Sequence, residues 1–83
     1  MGNSVLAAVW TSEGTVNGTS VIQFPWRSRR MTLTNDSASG NLTVVLGGAT
    51  LTLKPTESLS VKFWGTTVTL TGTSVPYRLW IFG

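Results

Sequence analysis

The chain has 83 residues, no Cys and no His, with six basic and three acidic side chains. These absences remove disulfides, the usual zinc ligands and the imidazole on which most acid–base and triad chemistry rests. One small domain of this length buries only about 60% of its unfolded surface; with 41% hydrophobic residues and four Trp, it is expected to be stabilised by association with itself or a partner.

Residues 1–18 are the least regular part, read as an N-terminal arm with a first turn, ahead of a β-domain over residues 19–83. Val5, Leu6, Val9 and Trp10 carry the apolar content of the arm. An extended arm or edge strand followed by a hairpin at Asn17-Gly18 fits, because Asn-Gly favours a type I′ turn. In an assembly Trp10 would anchor this arm on a neighbour. The apolar patch has no basic n-region, so a signal peptide is not expected. Leu6 stands where a myristoylation start needs Ser or Thr. No segment approaches the roughly 20 apolar residues of a spanning helix. The sequons at Asn17, Asn35 and Asn41 follow from a composition rich in Thr, Ser and Asn.

The next strand is predicted over residues 19–24 (TSVIQF), stopped by Pro25, which cannot donate to a central ladder. Residues 26–30 (WRSRR) set an aromatic beside three guanidinium groups. Alternation resumes over residues 30–34, with Met31 and Leu33 inward, and residues 35–40 (NDSASG) form a polar loop of turn formers. Further strands are predicted over residues 41–46, 49–53, 58–63, 66–71 and 76–82, separated by a Gly47-Gly48 turn and a Lys54-Pro55-Thr56-Glu57 corner. Their alternation places Leu42, Val44, Leu46, Leu51, Leu53, Leu59, Val61, Phe63, Val68, Leu70, Val75, Tyr77, Leu79 and Ile81 in the core. Arg78, Trp80 and Phe82 fall on the opposite side of the last strand. They mark either a contact surface or a strand buried on both faces, and Arg78 needs an acidic or carbonyl partner. About seven short strands with no helical period describe an all-β fold, a small antiparallel β-sandwich or barrel with an extended N-terminal arm.

A search for chemistry finds no catalytic, cofactor-binding or metal-binding set, and the expectation is that the protein is not an enzyme. The carboxylates are Glu13, Asp36 and Glu57. Asp36 is read as capping its own loop, and Glu57 as bonding backbone amides or Lys54. Ser and Thr have no base to activate them, and Gly47-Gly48 is followed by no helix to cradle phosphate. Two binding readings remain. Trp26, Arg27, Arg29 and Arg30 could engage phosphates and a base or sugar; the favoured alternative is a loop whose Trp packs under the sheet while the arginines pair with acidic residues, of this chain or of a partner, since basic loops are usually solvated or interfacial. Trp64 could form a sugar platform, against the commoner role of a corner ring covering the edge of the core. The net charge of +3 reads as a mildly basic surface, because Lys54, Lys62 and Arg78 are scattered in sequence. Nucleic acid and membrane are not expected as partners.

The run of turns and strands from Thr32-Leu33-Thr34-Asn35-Asp36-Ser37 through Leu51-Thr52-Leu53-Lys54-Pro55-Thr56-Glu57 and residues 68–73 to the closing residues 77–83 resembles small β-sandwich structural proteins of tailed-bacteriophage virions. It is similar in kind to head decoration proteins, with Thr56 standing where such corners often carry Gly. The resemblance implies a non-enzymatic protein made in the bacterial cytoplasm and carried on the virion surface, commonly a homotrimer. Such a protein binds the major capsid protein or another virion protein and clamps the lattice. A tail, collar or fibre module is the neighbouring alternative, and a carbohydrate- or nucleic-acid-binding module the alternative of another class. The expected contact residues are Val5, Leu6, Val9, Trp10, Trp26, Arg27, Arg29, Arg30, Arg78, Trp80 and Phe82.

Overall fold

In a computed structural model that describes residues 9–83, every regular element is a strand. β1 (Val9–Asn35), β2 (Leu42–Leu46), β3 (Ala49–Leu53) and β4 (Ser58–Phe82) form one antiparallel sheet in the order β1-β4-β2-β3. The Gly47-Gly48 hairpin forms as predicted. Both glycines take positive φ, 50° and 91°, the type I′ requirement that L side chains resist.

The strand count departs from the expected seven. Residues 19–24 and 30–34 are stretches of one 27-residue strand, and residues 58–63, 66–71 and 76–82 are stretches of one 25-residue strand. The glycines and prolines that suggested turns bend these strands without ending them. Asn17-Gly18 makes no hairpin: Val16 pairs with Val75 and Gly18 with Gly72, so Asn17 opposes the extra pair Thr73-Ser74 in a bulge. Gly18 has φ 102° and Ser74 φ 51°, a left-handed conformation that favours a short polar residue where Gly is absent. Around Pro25 the ladder lapses between Gln23 and Ser28 while the strand carries on, consistent with the missing donor.

Bending lets β1 and β4 meet twice. Residues 30–34 pair on one side with residues 58–62 and on the other with residues 78–82. Between these runs of β4 lies Gly65, where an added Cβ would lie 2.6 Å from the Phe63 ring. Phe63 meets Phe24 edge-on at 6.4 Å, and Phe24 meets Trp10 at 6.1 Å.

Alternation sets the core largely as expected. Met31, Leu33, Leu42, Val44, Leu46, Leu53, Val68, Leu70, Val75, Tyr77, Leu79 and Ile81 are buried, joined by Val16 and Phe24. Leu51, Leu59, Val61 and Phe63 are half-buried around the margin of that cluster, because their strands lie at the limits of the paired region.

One end of the molecule is tied by a buried asparagine. Asn35 is fully buried; its Nδ2 donates to the carbonyls of Gly40 (2.8 Å), Leu53 (3.0 Å) and Lys54 (3.2 Å), and its Oδ1 accepts from Ser37 N at 2.9 Å. Asn35 N donates to the Glu57 carbonyl and Asp36 N to the Pro76 carbonyl, both at 2.9 Å. Ser37 Oγ accepts from Ser39 N and Gly40 N. The predicted polar loop is thus a hub joining the ends of β1, β3 and β4. Beside it Glu57 N donates to the Lys54 carbonyl (3.1 Å), with Pro55 next and Thr56 at φ 67°, the pattern of a type II turn. Lys54 N donates to Glu57 Oε1 at 2.7 Å, the backbone bond expected of Glu57.

Candidate interaction surfaces

Strand pairing decides which outward side chains become neighbours, since directly opposed residues share a face. Across the double meeting of β1 and β4 three rows form: Val9, Phe82, Arg30, Lys62; then Thr11, Trp80, Thr32, Ser60; then Glu13, Arg78, Thr34, Ser58. Hydroxyl pairs brace this face, Thr32 Oγ1 with Ser60 Oγ at 3.3 Å and Thr34 Oγ1 with Ser58 Oγ at 2.9 Å. Trp80 lies half-buried at its middle, with the Arg78 guanidinium 5.5 Å from the ring centroid. A depression of about 220 Å³ beside it is lined by Thr11, Ser12, Glu13, Arg78, Leu79 and Trp80.

Arg78 finds the partner its position requires. Its Nε donates to Asp36 Oδ2 at 2.7 Å and its Nη2 to Asp36 Oδ1 at 3.0 Å, a bidentate fork. Asp36 therefore serves this ion pair rather than capping its own loop, because its backbone is already held by Pro76. The Asp36 hydrogen bond, and then its charge, holds the Arg78 guanidinium above its ordinary value. A raised cation contributes fully below its unfolded pKa and is lost only as pH climbs through the raised folded one, so the Arg78 side of this pair stays charged near neutrality.

The outward side of the other strand pairings has a different character. Thr19, Thr71, Thr43 and Thr52 form one row across four strand runs, and Val21, Thr69, Val45 and Thr50 form the next. Neither row carries a charge. Thr19 Oγ1 and Thr71 Oγ1 share a hydrogen bond at 3.2 Å.

At the corner where β1 passes Pro25, Ser28 opposes Gly65 and Arg30 opposes Lys62. Trp26 packs against the core cluster, as the favoured reading expected. Ser28 is buried and donates from Oγ to the Arg30 carbonyl at 3.1 Å. Arg27, Arg29 and Arg30 are exposed. Trp64 is 65% exposed, so it does not cover the core edge; Phe63 takes that place because alternation points it inward. The Arg29 guanidinium stands 5.7 Å from the Trp64 ring centroid.

The expected contact residues therefore separate. Val9, Arg30, Arg78, Trp80 and Phe82 share one outer face, Trp10 and Trp26 turn toward the core, and Arg27 and Arg29 stand at the corner. Val5 and Leu6 lie outside the described residues. Sequence reasoning missed Lys62 as a neighbour of Arg30 and Thr11 and Glu13 as neighbours of Trp80 and Arg78; the only signal was the pairing register, which no local pattern encodes. Among the described residues no cluster of three or more His, Cys, Asp or Glu could hold a metal. Neither a scan of protein-family models nor a search of curated proteins returns a match.

Proposed function

We propose that this chain is a non-enzymatic structural protein of a tailed-bacteriophage virion, a head decoration protein that reinforces the capsid lattice. The observation that supports this reading is the outer face on which Val9 and Phe82 share a row with Arg30, with Trp80 in the next row and Arg78 in the one after. Aromatic and Arg side chains are the usual anchors of protein contacts, and a chain this small gains stability by burying them against a neighbour.

The proposal extends to the fold. A small β-sandwich would take residues 9–16, 75–82, 30–35 and 58–62 in one layer and residues 18–23, 67–72, 42–46 and 49–53 in the other, with the buried residues between. The double pairing of residues 30–34 supports that arrangement. Three copies would meet around a capsid three-fold position, each pressing the Trp80 face on a capsid subunit or a neighbouring copy.

Light scattering across a dilution series tests the assembly, with Trp80→Ser as the comparison. A trimer that dissociates in the variant is expected, and a wild-type monomer at every concentration contradicts the homotrimer. Gold labelling of particles tests the location: label over the head is expected, while label over the tail, collar or fibres transfers the protein there.

A further inference from the structure

We infer that the corner formed by residues 27–30 and 62–65 is a binding site for single-stranded nucleic acid, a role beyond the lattice contact proposed above. In sequence Lys62 looks isolated. The fold sets it directly opposite Arg30 and two residues from the exposed Trp64, over which Arg29 lies, so three of the six basic residues meet at one corner, with exposed Arg27 next along the chain.

No acidic side chain answers them. The nearest row bearing one, Glu13 with Arg78 and Thr34, lies four residues along the strand from Arg30, about 13 Å; this exceeds the roughly 8 Å screening length of physiological salt. Asp36 and Glu57 belong to the far end, and among the described residues the ion pair formed is Arg78 with Asp36. Arg30 and Lys62 are like charges directly opposed on a ladder, an arrangement that works against the fold. A polyanion threading between them would reverse its sign.

Trp64 selects the class of polyanion. Among the described residues it is one of three large apolar side chains left exposed; the Arg29 guanidinium lies over its ring, and its exposed surface leaves room for a base to stack. Guanidinium groups along a backbone with an aromatic platform for bases is how single strands are held without sequence preference. A duplex keeps its bases stacked inside and would leave Trp64 idle. An acidic protein surface would use the cations but offer the ring no matching plane.

The test is fluorescence anisotropy of a labelled oligothymidylate titrated with the full chain, across a salt series. The expected result is binding at low salt, with log affinity falling against log salt at a slope of about −2 to −3, the value for three or four phosphates on a single strand. Trp64→Ala should weaken binding about tenfold while leaving that slope in place. Lys62→Glu should weaken it further and flatten the slope. Both positions are exposed, so unchanged circular dichroism is expected and separates lost binding from lost folding. The inference is overturned if oligothymidylate does not bind at low salt, as expected of a site for an acidic protein. It is equally overturned if Trp64→Ala binds like wild type, or if a duplex binds as tightly as the single strand; either result means general adhesion to polyanions.

Discussion

The two ends of the run from Arg30 to Asn35, about 17 Å apart along one strand, are built on opposite terms. At the Asn35 end every polar group named above has a partner: a buried amide serves three carbonyls, Ser37 closes the loop, Asp36 grips Arg78, and Glu57 satisfies Lys54 N. At the Arg30 end the charged side chains are of one sign, two face each other directly, and a Trp stands in solvent. Hydrogen bonds that close on themselves hold a fold together; charges and aromatic surface left open do not. On the reading proposed above, the first end serves stability and the second is open to a partner.

Breaking the closed end should have the largest effect. Asn35→Ala leaves the Leu53 and Lys54 carbonyls without their buried donor and Ser37 N without its acceptor, and is expected to cost about 3 kcal/mol. The check is a lower urea midpoint with an unchanged slope. Arg27→Ala at the open end should stay within about 0.5 kcal/mol of wild type by the same measurement. A loss there as large as at Asn35 would erase the contrast.

Next in size is the close approach of Phe63 to Gly65 at the open corner. Gly65→Ala drives a methyl group into the Phe63 ring and should destabilise by about 2 kcal/mol, with Trp64 fluorescence changing as the corner shifts. Smaller, and opposite in sign, is Thr56→Gly. Thr56 sits at φ 67° at the turn position suited to Gly, and relief of its left-handed backbone should raise stability by about 1 kcal/mol. Smallest is Lys62→Glu, which turns a repulsive cross-strand pair with Arg30 into an attractive one and should stabilise by about 0.5 kcal/mol.

Much of the fold was legible because alternation is a local signal. Met31 and Leu33, the Leu42, Val44 and Leu46 set, and the Val75 to Ile81 set are all buried as their period of two demands. Gly47-Gly48 announced its hairpin, and the need of Arg78 for an acid was met. The strand count was not legible, because a Gly with positive φ serves a bulge as well as a hairpin. Asn17-Gly18 carries the local chemistry of a turn, yet Thr73-Ser74 lies opposite it and absorbs the extra length. The role of Asn35 was hidden for a related reason: its acceptors come from Gly40, Leu53 and Lys54, and only the folded sheet brings them together. Lys62 is the same case at the proposed binding corner, scattered in sequence and paired with Arg30 in space.

The most direct test of the claim that the open corner is kept for a partner is a thermal melt of wild type and Lys62→Glu, each with and without oligothymidylate. The account predicts that Lys62→Glu melts higher than wild type in the absence of oligonucleotide. Oligonucleotide should raise the wild-type midpoint by binding the native state and raise that of the variant less. A variant that melts lower than wild type, or one that gains as much from oligonucleotide, would contradict it.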